Sequence, residues 1–151
     1  MTLAVTLGVA EPFADCAEPR VVLFRALPDE LEERARVDLV GAAGPPFPLG
    51  VAGVLPLADG AALALASPEL SLRHKELEQR WHDLLTEADR RPLRPHVVIR
   101  RGLPPAEARA LFTVRRRGFR PHEVTAESFV LWRADPAGWT ELAHVPFAGR
   151  C

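Results

Sequence analysis

The chain has 151 residues, about half of them apolar and a quarter charged, which is the size and composition of one folded domain spanning residues 1–151. No apolar run approaches the ~20 residues of a membrane span, no basic-then-apolar leader opens the chain, and Cys16 and Cys151 are not spaced like metal ligands or a CxxC pair. These features point to a protein of the reducing cytoplasm with no membrane partner and no metal. The net charge of −1 hides an asymmetry: residues 1–67 carry four basic and nine acidic side chains, whereas residues 68–151 carry fifteen and eleven.

In chain order, Leu3–Val9 reads as a first strand, closed by Glu11-Pro12. Cys16–Pro19 is a connector and Arg20–Phe24 a second strand. Pro28-Asp29-Glu30-Leu31 opens a helix with proline and acids in its first turn, running to about Ala43. Its interior, Arg36-Val37-Asp38-Leu39-Val40, alternates equally well as a strand. After Gly44-Pro45-Pro46, Phe47–Val54 and Ala61–Ala66 form two strands joined through Asp59-Gly60. Ser67-Pro68-Glu69-Leu70 is a capped helix start, and Leu70, Leu77, Trp81, Leu84, Leu85 and Ala88 continue a stripe at helical spacing. His96–Arg101 is a short buried strand, and Pro104-Pro105-Ala106-Glu107 begins a helix ending near Gly118. Phe129–Trp132 and Trp139–Val145 make a hairpin through Asp135-Pro136-Ala137-Gly138. Strands outnumber helices, and helices alternate with strand pairs, so the class is α+β with a mainly antiparallel sheet.

The chemistry concentrates around His96. Residues 90–120 hold ten arginines against one acid, Glu107, and a titratable imidazole among guanidinium groups points to phosphate handling. The element Pro95-His96-Val97-Val98-Ile99 has an earlier copy, Pro19-Arg20-Val21-Val22-Leu23, with arginine in the histidine's place. The other histidines have plainer readings: His74 packed within a helix, His82 on its surface, His122 in a turn and His144 structural in the last strand. Arg115-Arg116-Arg117 either complements a helix dipole or forms a track for RNA phosphates. No aromatic residue interleaves those arginines to stack bases. Trp81 and Trp139 read as core, and Trp132 as either core or surface. Glycine-rich dinucleotide and nucleotide loops, metal-spaced clusters and a nucleophile elbow are all missing, so no cofactor is expected.

Taken together, Pro46-Phe47-Pro48-Leu49 before Val51-Ala52-Gly53-Val54, the helix at Pro68-Glu69-Leu70, Leu93-Arg94-Pro95-His96-Val97-Val98-Ile99, and Phe129-Val130-Leu131-Trp132-Arg133 with Gly138-Trp139-Thr140-Glu141-Leu142 form an ordered set. From Phe47 to Phe147 that set resembles the two-histidine phosphoesterase superfamily of 2′-5′ RNA ligases and cyclic phosphodiesterases. The resemblance implies two pseudo-symmetric lobes, small antiparallel sheets with outer helices around a central cleft. Each lobe of such a protein gives a His-x-Thr/Ser motif, and the two imidazoles act as general base and general acid without a metal.

The chain departs from that pattern. His96 is present, but Val98 stands where a hydroxyl belongs. The first motif falls either on Arg20-Val21-Val22-Leu23 or on Ala4-Val5-Thr6-Leu7, and neither supplies a histidine. Arginine binds phosphate bidentately but does not shuttle protons at neutral pH. The resemblance therefore implies a divergent member, with His96 as the remaining acid/base and Arg20, Arg94 and Arg100 as phosphate-binding groups. Its expected ligands are RNA ends or cyclic nucleotides bearing a 2′,3′-cyclic phosphate or a 2′-5′ linkage. Two readings stay open: a metal-independent phosphodiesterase, and a non-catalytic nucleotide-binding or interaction module.

Overall fold

A computed structural model describes residues 1–13 and 16–148, so Cys151 lies outside the described residues. Its elements are β1 (Thr2–Val9), β2 (Val21–Pro28), α1 (Glu32–Ala42), β3 (Phe47–Leu57), β4 (Gly60–Ala66), α2 (Pro68–Trp81), α3 (Glu87–Arg90), β5 (His96–Arg100), α4 (Pro105–Gly118), β6 (His122–Asp135) and β7 (Gly138–Pro146). Among the described residues, seven strands pair antiparallel in the order β2-β1-β6-β3-β4-β5, with β7 also on β6. The α+β class and the mainly antiparallel sheet expected from the sequence are both present. No helix among the described residues is long and apolar enough to cross a membrane.

The halves of the sheet meet in β6. One side of this strand pairs with β1 from Ala126 to Ala134. Its other side is divided: β3 takes His122–Ala126, and β7 takes Ser128–Asp135. The expected turn at His122 is therefore a strand start. Glu123 is exposed, Val124 and Ala126 are buried, and this modest alternation becomes decisive once Phe47–Val51 lies alongside. The β6–β7 turn follows its sequence. The amide of Ala137 donates to the Asp135 carboxylate at 2.8 Å, and Gly138 adopts φ 137°, a region glycine enters without strain.

Residues 36–40 resolve as helix because α1 buries Ala35, Leu39 and Ala42 at helical spacing, leaving Val37 and Val40 in solvent. Ser67 caps α2 as expected, its hydroxyl accepting from the Leu70 amide at 3.1 Å. The helix does not continue to Ala88, however. It stops at Trp81, Leu84 is substantially exposed, and Thr86 caps a new short helix by accepting from the Asp89 amide at 3.3 Å.

That interruption delivers Asp89 to the edge of β2. Its buried carboxylate accepts from the amide of Arg25 at 3.0 and 3.2 Å and from that of Ala26 at 2.9 Å. An open strand edge presents amides that must find partners or remain in water, and here one side chain serves two of them. Replacing Asp89 by alanine leaves both amides unsatisfied, so a loss of about 2–3 kcal/mol is expected. Thermal unfolding followed by circular dichroism should show Tm falling by about 4–12 °C.

Candidate functional site

Strands β2 and β5 are the two ends of the sheet's pairing order, yet they lie close together. The amide of Ala17 donates to the carbonyl of Ile99 at 2.9 Å, and that of Glu18 to the carbonyl of Val98 at 3.2 Å. Glu18 and Val98 form an isolated antiparallel bridge. Extending its register would put Arg20 opposite His96, but among the described residues the pairing stops at the bridge. A cavity of about 290 Å³ opens beyond it, lined from β2's side by Glu18, Arg20, Val22 and Arg25, and from β5 by His96 and Val98. The two copies of the Pro-x-Val-Val element thus face one space from opposite edges.

Local strand geometry sets which side chains enter. On β5, Val97 and Ile99 belong to the core, so the period of two places His96, Val98 and Arg100 on the other face. On β2 the alternation breaks. Val5 pairs with Phe24 but Thr6 with Val22, and Leu3 pairs with Leu27, so β2 carries an extra residue at two places. The bulges turn Phe24 into the core, stacked on His74 at 4.6 Å, and turn Arg25 outward to the cleft.

Arg20 is held by aromatic faces. Its guanidinium carbon lies 4.6 Å from the Trp132 ring centre and 5.0 Å from that of Trp139. Trp132 is fixed in turn by its indole N–H, which donates to the Thr6 hydroxyl at 2.8 Å. Cation–π contacts of this kind contribute roughly 0.5–2 kcal/mol and fix the plane of the fork. Trp139, expected in the core, is instead a half-buried wall of the cleft. Ala4 and Thr6, the rival first-motif positions, lie one strand inward on β1, and both are buried. Of the two rival segments, Arg20-Val21-Val22-Leu23 is the one that reaches the cleft.

His96 is half-buried, and its Nδ1 lies 2.9 Å from the carbonyl oxygen of Arg94. A carbonyl only accepts, so Nδ1 carries the hydrogen and Nε2 is left for a ligand. His96, Val22 and Arg25 also border a second cavity of about 520 Å³, which extends the cleft toward Arg91, Leu93 and Arg94. Arg100 lies farther along β5, exposed beside Gly60, and lines neither cavity. Among the described residues, no carboxylate comes within 4.0 Å of the guanidinium groups of Arg20, Arg25, Arg91 or Arg94. Four acids of the first half are used elsewhere: Asp29 and Glu32 on Arg133, Asp38 on Arg34 and Arg80, and Asp59 on Arg101. Among the described residues, the two cavities set several cationic groups against two acids, Glu18 and Asp89, and the Asp89 carboxylate is committed to the amides of Arg25 and Ala26, which suits an anion.

His74 forms part of the larger cavity's wall but belongs to the core. It is buried against Phe24, and its Nε2 donates to the Leu23 carbonyl at 3.3 Å. His122 has the same Nδ1-to-carbonyl contact as His96, here to Arg120 at 3.0 Å, yet lines a separate cavity with Arg115 and Phe119. His82 is exposed beside Glu78, and His144 is exposed on β7. Among the described residues, no group of three or more His, Cys, Asp or Glu is placed to hold a metal ion.

Sequence reading missed Glu18, Arg25, Arg91, Asp89 and the cleft-facing position of Trp139. Glu18 was within reach, because it shares the period of two with Arg20. Arg25 was not, because the β2 bulges reverse the expected parity.

Burial lowers the pKa of His74, outweighing the opposing effect of its hydrogen bond to Leu23 and of the nearby Glu78 and Asp89 carboxylates. The unfolded chain therefore binds this proton more tightly than the folded one. The stability His74 contributes is complete above its unfolded pKa of about 6.5 and is lost as pH falls through that value toward the folded one. Denaturant unfolding between pH 8 and 5 should show this decline, and His74→Phe should flatten it.

The family model of the 2′-5′ RNA ligase superfamily matches residues 1–138. A solved structure of TT0787 from Thermus thermophilus superposes with a TM-score of 0.69 at 17% identity, covering 100% of both chains. The structure of E. coli LigT complexed with 3′-AMP gives 0.61 at 16% identity, and that of a phosphoesterase gives 0.62 at 15%, each covering 98% of both chains. At these identities the solved structures establish the fold. A comparison with curated proteins finds no match.

Proposed function

This chain belongs to the 2′-5′ RNA ligase superfamily, and from that premise we propose that its β2–β5 cleft binds and hydrolyses the phosphodiester of an RNA end. The substrate class is a 2′,3′-cyclic phosphate or a 2′-5′ linkage, and the setting is the cytoplasm. The observation that carries this reading is the meeting of Arg20 and His96, from the two copies of one sequence element, on the walls of a single cavity. Arg20, stacked on Trp132 and Trp139, clamps the phosphate without reorganising. Nε2 of His96 faces the reacting oxygen and exchanges a proton with it. Arg94 extends the positive surface into the larger cavity, whose size suits a nucleoside. Arg100, farther along β5, is assigned to the remainder of a longer RNA. That LigT was solved with 3′-AMP bound supports a nucleotide as the ligand of this fold.

A second reading, binding without turnover, is favoured by Val22 and Val98, which give the cleft no hydroxyl donors. Hydrolysis of 2′,3′-cyclic AMP, measured beside binding of the same nucleotide by tryptophan fluorescence, separates the two. Turnover is expected in the wild-type protein, with kcat reduced by about 100-fold or more in His96→Ala. Arg20→Ala should raise KM by about tenfold or more. Binding without turnover would select the second reading, and the absence of both would remove the cleft as the functional site.

A further inference from the structure

We propose that Glu18 is the second proton-transfer group of this cleft, opposite His96. The proposal rests on the phosphodiesterase reading above and deepens it. Two proton transfers are needed to hydrolyse a phosphodiester without a metal, one from the attacking water and one to the departing oxygen. His96 supplies one. Arg20 does not exchange protons at neutral pH, and Val22 and Val98 have none to give.

The backbone fixes where Glu18 points. Directly opposed residues of an antiparallel bridge project to the same side, so Glu18 shares the face of Val98, and two residues along β5 that face carries His96. Such diagonal neighbours lie about 7–8 Å apart, which leaves room for a phosphorus centre between a carboxylate and an imidazole. Glu18 lines the same cavity as Arg20 and His96, and it is the one carboxylate among the described residues that do so. No cation among the described residues comes within 4.0 Å of it, so its oxygens are not committed to an ion pair. The charged groups that line the cavity with it are Arg20 and Arg25 from β2 and its approach, and His96 from β5; β7 contributes the uncharged Trp139, and Arg100 lies outside the cavity, two residues beyond Val98 on β5.

The Glu18 carboxylate takes a proton from water while the water oxygen forms a bond to phosphorus. The bond from phosphorus to one ribose oxygen breaks, and that oxygen receives the proton on Nε2 of the protonated His96. Glu18 then returns its proton to solvent and His96 takes one up, so the net change is the addition of one water. Arg20 and Arg25 offset the repulsion between the carboxylate and the anionic substrate.

The test is hydrolysis of 2′,3′-cyclic AMP by wild-type protein, Glu18→Gln and Glu18→Asp across pH 4–9, with binding followed by tryptophan fluorescence and folding checked by Tm. In Glu18→Gln, kcat should fall by about 100- to 10,000-fold while KM stays within about threefold. The acidic limb of its pH–rate profile should vanish, and Glu18→Asp should recover part of the rate and restore that limb. If wild type turns over and Glu18→Gln matches it, Glu18 has no such role and the cleft reading survives. If wild type binds the nucleotide without hydrolysing it, the proposal falls while the binding reading stands. If it neither binds nor hydrolyses, the cleft reading fails first and takes Glu18 with it.

Discussion

The cleft exists because two hydrogen bonds are made and the next ones are not. The amides of Ala17 and Glu18 reach the carbonyls of Ile99 and Val98, tying one edge of the sheet to the other. Had pairing continued, Arg20 and His96 would lie side by side on a closed wall. The bulges in β2 and the Asp89 carboxylate, which occupies the amides of Arg25 and Ala26, give that strand another use for its edge. A sheet edge is ordinarily a liability that must be covered. Here the uncovered part faces a cavity, into which it brings the cationic side chains of Arg20 and Arg25.

Pre-organisation follows from the layer beneath. Thr6 fixes Trp132, and Trp132 with Trp139 fixes the guanidinium of Arg20. The carbonyl of Arg94 fixes the hydrogen of His96 on Nδ1. Both groups have their orientation set by contacts that no ligand has to rearrange, so little ordering entropy remains to be lost on binding. The charge asymmetry along the chain has the same consequence. Acids of the first half neutralise Arg34, Arg80, Arg101 and Arg133, while Arg20, Arg25, Arg91 and Arg94 are left for an anion.

Much of this was legible in the sequence, for definite reasons. Ser67-Pro68 and Asp135-Pro136-Ala137-Gly138 encode a cap and a turn through local chemistry, and both formed as written. The repeated Pro-x-Val-Val element singled out Arg20 and His96, because each copy ends the exposed run before a buried strand. What local patterns do not encode is a partner. The start of β6 needed β3 beside it, the break after Trp81 served an edge some 60 residues away in sequence, and Trp139 became a cleft wall only when Arg20 lay over it. Bulges are the hardest case. One extra residue inverts the parity on which strand reading depends, and so Arg25 was concealed.

The central claim is that an anionic nucleotide sits between β2 and β5. Titrating isotopically labelled protein with 3′-AMP and following backbone amides, the His96 imidazole and the Trp139 indole by NMR tests it most directly. Perturbations concentrated at Glu18, Arg20, Arg25, His96 and the Trp139 indole are the predicted result. Perturbations confined to Arg115–Arg117 and the cavity beside His122, or no perturbation at all, would contradict it.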